Sequence, residues 1–421
     1  MRIDLFRSRA RVALVAAGCA AALAACSSGD AGDVQRDGAS APRGPQAPGD
    51  AAHRAAPAPA PGAPAPGTSP AAPAGTQRFT LVATGDVLAY PSIMQQAQAD
   101  AGGNGYDFHK IYAGVLPIVR DADVSLCHME TVYGKPGGPF TGYPLFKAPP
   151  QIARTLADTG YDGCSTASNH TLDDGFSGIE RTLGELDTVG VRHAGSARSA
   201  EEAAAPTILD VKGVKVAHLS WTYATNGIPL PADKPWAVNV VDVSRIVEES
   251  RAARRAGADI VVLSMHWGTE WQRKPDSDQL AWARELTASN DGGRKDVDLI
   301  LGTHNHVPQP YAKVNGTWVV YGMGDQMANF PGQDKMAGNY SSIARFTFAR
   351  GADGGWAVEQ AEFLPQFSDP GPPFRIVNIN AEIAAGSPRA GAYQAPLESI
   401  RAAVLSEGAA ADGLRESADG R

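Results

Sequence analysis

The sequence predicts an α/β domain, and three observations carry that prediction. Apolar, often β-branched runs recur at Phe79–Thr84, Asp123–Cys127, Val214–Ser220, Ile260–Ser264, Asp298–Leu301 and Trp318–Tyr321. Several are nearly uninterrupted, as strands buried on both faces are. Between them the apolar period changes to that of a helix, with Phe176, Ile179, Leu183, Leu186 and Val189 spaced by three and four residues. Ile246 with Val247, and Leu280 with Leu286, mark two further crossover helices. Finally, motifs rich in Asp, Asn and His stand directly after the runs, where α/β sheets place their ligand sites.

In order along the chain, Arg2, Arg7, Arg9 and Arg11 precede an apolar run from Val12 to Ala25 that closes as Leu23-Ala24-Ala25-Cys26. This reads as a secretory signal peptide over residues 1–25 ending in a lipobox, which implies a chain acylated at Cys26 and held outside the cytoplasm on the bacterial membrane. The run is shorter than the roughly 18 to 20 apolar residues that span a bilayer. Residues 26–77 hold ten of the 31 prolines, between Pro42 and Pro73, among Ala, Gly, Ser and Asp. Such a segment cannot bury enough apolar surface to fold and reads as an extended tether.

Residues 78–379 are enough for one large domain with a substantial core. An Ala/Gly-rich, charged tail is expected over 380–421, with only Leu397–Leu405 suggesting a short amphipathic helix. The net charge of −8 gives no basic footprint and argues against nucleic acid as a partner. Cys19 and Cys26 belong to the signal and the lipid site, which leaves Cys127 and Cys164 on strands leading toward the motifs. In an oxidising compartment they pair as a disulfide or remain two buried thiols.

The motifs follow in order. Thr84-Gly85-Asp86 and Cys127-His128-Met129-Glu130 each set a carboxylate beyond a strand, with Gly85 allowing a tight turn. Ser168-Asn169-His170-Thr171-Leu172-Asp173 offers a neutral oxygen, an imidazole and a carboxylate placed to orient it or to cap the helix. Met265-His266-Trp267 ends another strand, and Gly302-Thr303-His304-Asn305-His306 presents two imidazoles past the last buried one. Singly, each has a plain structural reading as a turn, a cap or a core histidine; their ordered combination points to a metal site.

In that combination the chain resembles the CapA-type branch, linked to bacterial poly-γ-glutamate capsule synthesis, of the calcineurin-like metallophosphoesterases, over about Phe79 to Phe330. The resemblance implies a sandwich of two mixed sheets with a one- or two-metal centre at strand C-termini. It would give Asp86 and His306 to one ion, Asn169, His266 and His304 to the other, with Glu130 bridging, and would make His170 and Asp173 the catalytic dyad. Trp267-Gly268-Thr269-Glu270 continues a run typical of the branch. The departures are Leu88 where related nucleotidases carry a histidine ligand, His128 where the branch has Asn, and Met323-Gly324-Asp325-Gln326 where it has Leu-Gly-Asn-Phe. Asp325 reads as a turn residue, with a ligand or substrate contact as the alternative. The loss at Leu88 implies one tightly held ion and a second bound only at high metal concentration.

Imidazole, carboxylate and amide donors without thiolate favour Mn, Fe or Zn. Tyr223, Trp267 and Trp271, with the stretch Tyr143–Pro150, could wall and cover a polymer or lipid-linked phosphate, packing being the plain alternative. Two functions are expected to compete. One is a surface-tethered metal-dependent phosphoesterase acting on a phosphorylated or acidic envelope polymer. The other is a non-catalytic accessory protein that binds the capsule polymer or a membrane synthase.

Overall fold

The computed structural model describes residues 77–417; the expected signal peptide, the expected lipid site at Cys26 and the expected tether as far as Thr76 lie outside the described residues. Two mixed sheets carry the architecture. The first runs in the order 375–378, 356–369, 340–350, 78–87, 124–128, 163–165 and 192–194, with 325–327 joined parallel to 78–87 and 414–416 joined to 356–369. Its strands 78–87, 124–128, 163–165 and 192–194 are mutually parallel, and the rest of the main path is antiparallel. The second runs in the order 311–314, 317–320, 299–303, 260–266, 214–222 and 207–211, parallel through its middle and antiparallel at both edges.

Strand alternation explains the layering. Phe79, Leu81 and Ala83 point to a cluster shared with Val216, Val262, Leu301, Val320 and Phe346 of other strands, so this core lies between the sheets. Val82 points the other way, onto helical residues such as Ile93, Ile118 and Ile152. Ala217, Leu219 and Trp221 do the same for the second sheet, packing with Ile246 and Leu286. Each fully buried Leu, Val or Phe contributes about 1.5–3 kcal/mol relative to exposure. The predicted periodic helix is Gly175–Val189, and the two crossover helices are Val243–Arg255 and Ser277–Ala288, the latter opened by an Asp276–Gln279 capping box.

The segment after 379 departs from its expected character as a tail. It forms the helices Ile379–Ala384 and Gln394–Val404 and the strand Leu414–Glu416, which pairs with 356–369. Leu397, Ile400 and Val404, on the amphipathic helix that the sequence suggests, and Leu414 on the strand enter the same cluster as the inter-sheet residues. Cys127 and Cys164 are direct partners on adjacent parallel strands, 4.4 Å apart at Cα, and form a disulfide. No helix among the described residues is long and apolar enough to cross a membrane.

Candidate metal centre

Strand ends of both sheets meet at one rim. The first sheet brings Asp86, His128 and Asp325, and the second brings His266 and, just beyond Thr303, His304 and His306. Gly85 makes the approach possible, because a Cβ there would lie 1.6 Å from the Gly324 carbonyl oxygen. Among the described residues six non-glycine positions have positive φ, and His304, His306, Trp271 and Asn226 at this rim are four of them. Left-handed backbone costs such residues on the order of 1 kcal/mol or more each, so these turns are shaped to aim side chains rather than to stabilise the fold. Asn305 ties two of the turns together, donating to Trp267 O at 3.2 Å and accepting from Trp271 N at 2.9 Å.

Asp86 Oδ1 lies 3.5 Å from His128 Nε2 and 3.6 Å from His266 Nδ1, while Asp86 Oδ2 accepts from His304 N at 3.0 Å. His266 Nε2 faces Asn169 Oδ1 at 2.8 Å and Glu130 Oε1 at 3.8 Å. Asn169 donates its Nδ2 to Asn226 Oδ1 at 3.2 Å, which turns its own oxygen toward the centre. His306 Nδ1 meets Asp325 Oδ1 at 3.0 Å. Three ligand clusters result, each with donor atoms within 4.8 Å of one another: Asp86, His128, His266; Glu130, His266, His304; and Asp86, His306, Asp325. Because Asp86 and His266 are shared, the clusters form one continuous centre.

The donors fit a bound cation. Asp86 Oδ1, both oxygens of Glu130, His128 Nε2, His304 Nδ1 and Asp325 Oδ2 are buried without a hydrogen-bond partner, and buried polar atoms are otherwise almost always satisfied. Burial holds the Asp86 and Glu130 carboxyls well above the usual range, Asp325 raising the first further and Asp86 the second. Burial also raises Asp325, against the opposing pull of His306. His128 is lowered to about 3 by burial and by His218, and His266 and His304 are lowered by burial and neighbouring imidazoles. These stay neutral, the form that ligates metal. For His306, burial is outweighed by Asp325, Glu130 and Asp86, which hold its imidazolium up to about 10. Its proton occupies the place of positive charge among three buried carboxylates.

Beside this centre, His170 Nδ1 meets Asp173 Oδ2 at 2.6 Å, and Ser168 Oγ accepts from His170 N at 2.9 Å. All eight residues expected at the site thus converge on one rim. Two more join them: His128, a departure from the branch's Asn, and Asp325, for which the sequence left a turn and a ligand contact both open; these are the two candidates for the position left vacant at Leu88. The strand end that holds Asp325 in register with Asp86 is too short to announce itself by an apolar run. Leu88 does not face the donors; it is buried with Phe146, Ala328 and Phe330. Trp267 is likewise not a wall of the site, since it is fully buried between Trp282 and Tyr321 and donates Nε1–H to Tyr321 O. Tyr223 and Trp271 do stand at the rim, with ring centres 4.5 Å from His304 and 5.5 Å from His306. A cavity of about 200 Å³ lined by His193, Arg198, His218 and Glu249 includes none of the ten centre residues.

A mixed α/β protein with a buried carboxylate–imidazole centre at its strand ends is thereby defined. The chain belongs to the bacterial capsule synthesis protein PGA_cap family, whose model matches residues 80–329. It is 31% identical over 177 residues to the PGA biosynthesis protein CapA of Bacillus subtilis, covering 42% of this chain and 44% of that one. It is 26% identical over 223 residues to the "Probable polyglutamine synthesis accessory protein" of Mycobacterium tuberculosis, covering 50% and 57%. The chain therefore spans about half the length of these curated relatives. Among solved structures, the calcineurin-like phosphoesterase YfkN from Bacillus subtilis overlays with a TM-score of 0.42 at 17% identity, over 77% of this chain and 99% of that one. The NAD nucleotidase of Haemophilus influenzae does so with 0.40 at 11%, over 72% and 60%. These likenesses are too distant to bear on the chemistry.

Proposed function

We propose that the chain is a metal-dependent hydrolase of phosphate esters, tethered to the outer face of the membrane through Cys26 and acting on a phosphorylated or acidic polymer of the capsule or cell envelope. The observation that carries this reading is the juxtaposition of linked ligand clusters with a His–Asp pair that contributes no atom to any of them. Asp86, His306 and Asp325 would hold one divalent ion, and Glu130, Asn169, His266 and His304 a second, with Mn, Fe or Zn suited to such donors. Held there, such an ion would supply Lewis acidity, lowering the pKa of a bound water toward neutrality and polarising a phosphoryl oxygen.

The protein's own contribution is the proton. His170 gives Nδ1–H to Asp173, so Nε2 is left for the substrate, and the carboxylate stabilises the imidazolium that protonates the leaving oxygen. Positioned acid catalysis of this kind contributes roughly 10²- to 10⁴-fold. Elemental analysis of the mature protein, with turnover of bis-p-nitrophenyl phosphate in added Mn²⁺, tests the reading. Absence of both metal and turnover would overturn it.

The name of the mycobacterial relative favours a second reading, an accessory protein that binds the polymer or a membrane synthase. Metal retained without turnover on any phosphate ester would support it. The anchor is checked separately: Cys26→Ala should move the protein from the membrane fraction to the soluble one.

A further inference from the structure

Asp86 stands in register with Asp325 on one neighbouring strand and with His128 on another. The positions given above to two ions use the Asp325 side of this carboxylate and leave His128 without a role. On the His128 side two buried acceptor atoms face each other. Asp86 Oδ1 and His128 Nε2 are 3.5 Å apart, and neither has a hydrogen-bond partner. The two residues are 0% and 2% exposed, so bulk solvent does not satisfy them.

His128 is held as a ligand is held. Ser165 Oγ donates to Cys127 O at 3.3 Å and lies 2.7 Å from His128 Nδ1. With its one proton on Cys127 O, this hydroxyl accepts Nδ1–H, which leaves Nε2 bare toward the carboxylate. Metal-ligating imidazoles are fixed in this way, by a partner on the ring nitrogen that does not bind the ion. His266 packs over the same ring, with centres 4.6 Å apart and planes 23° from parallel. The separation decides between a hydrogen bond and a ligand pair. A hydrogen bond would draw the two atoms to about 2.7–3.2 Å, whereas donors about 2.1 Å from a tetrahedral ion stand about 3.4 Å from each other. His266 Nδ1 is 3.6 Å from the same oxygen, but Thr303 Oγ1 at 3.0 Å already partners it. The pair that calls for a cation is therefore Asp86 and His128.

We propose a third cation position, held by Asp86 Oδ1 and His128 Nε2 between strands 78–87 and 124–128, with His266 Nδ1 at its edge. The proposal rests on the metal-dependent reading and adds to it a ligand, His128, that neither of the two positions above uses. Two free side-chain donors hold an ion less tightly than the three or four of those positions, so this one fills last and empties first. An imidazole and a carboxylate without thiolate suit Zn²⁺, and the usual affinity order makes Mn²⁺ weaker at such a pair. One ion there satisfies two orphaned buried atoms at once.

Cadmium reads the position without any turnover. The full mature chain, labelled with ¹⁵N in its histidine rings, is titrated with ¹¹³Cd²⁺, and couplings between metal and ring nitrogen are recorded by NMR. At saturation the imidazoles of His128, His266, His304 and His306 should all be coupled, with three Cd²⁺ bound per chain. His128→Asn should remove the His128 coupling and lower the count from three to two, while the other couplings persist. Should that variant fail to fold, the wild-type count and couplings decide alone. Saturation of the wild type at two Cd²⁺, a His128 ring that stays uncoupled while the others couple, or an unchanged count in His128→Asn overturns the inference and leaves the two-ion reading intact. If no imidazole couples at all, the metal-dependent reading falls and this inference with it.

Discussion

Asp325 stands in parallel register with Asp86, on a strand end that a glycine at position 85 allows to approach. With His306 these two carboxylates complete a cluster that would otherwise lack a donor. Wild-type protein is therefore expected to retain about two ions per chain after dialysis against a weak chelator, and Asp325→Ala about one. Leu88→His should add none. It would instead bury an imidazole among Phe146, Ala328 and Phe330 at a cost of about 2–4 kcal/mol, seen as a lower denaturant midpoint. One ion in the wild type, or a gain in Leu88→His, would contradict the assignment.

The legibility of the sequence followed the strength of its local signals. Buried parallel strands write long apolar runs, so 78–87, 124–128 and the middle of the second sheet could be read directly, whereas the antiparallel Tyr340–Arg350 and Trp356–Asp369 of the first sheet could not; Ile260–His266 and Leu299–Thr303 carry their histidines at the end of such runs. Asp325 sits on a three-residue strand whose role depends on a neighbour more than 200 positions away, a relation no local pattern records. The helix Gln394–Val404 was legible as the short amphipathic stretch Leu397–Leu405, but the Ala and Gly around it hid that it packs into the inter-sheet core and is no tail. Of the two readings open for Trp267, packing holds: its neighbour His266 belongs to the centre, and alternation along the chain turns the indole into the core.

His170 belongs to none of the three ligand clusters. His170→Ala should reduce turnover of bis-p-nitrophenyl phosphate by roughly 10²- to 10⁴-fold while metal content stays at the wild-type level. Loss of metal in the variant would make His170 a ligand instead of the proton donor.

The Cys127–Cys164 disulfide closes a loop with a sequence separation of 37 and lies next to His128. By loop-closure entropy its removal should cost about 3–4 kcal/mol. Guanidinium unfolding of the wild type with and without a reductant measures this. Cys164→Ser should reproduce the reduced midpoint; equal midpoints in all three would show that the bond adds nothing.

Glu249 supplies a pH dependence separate from the centre. Trp221 donates Nε1–H to Glu249 Oε2 at 2.8 Å, yet burial pushes the carboxyl up to about 7, against that bond and the charge of Arg245. In the unfolded chain the group titrates near 4.5. Below that value both states hold the proton and no stability is lost. Between the two values the native state binds more protons than the unfolded one, so stability falls as the pH rises. Above about 7 both states are ionised, and the fold carries the whole cost of a partly buried charge. Because the side chain is half-buried, solvent screening reduces that cost to about 1–2 kcal/mol. Glu249→Gln keeps an oxygen for the Trp221 donor and removes the charge. It should therefore unfold at higher denaturant than the wild type at pH 8, with the difference shrinking toward zero by pH 5. A difference that does not change with pH would show that packing, and not the carboxyl's proton, is what the substitution alters.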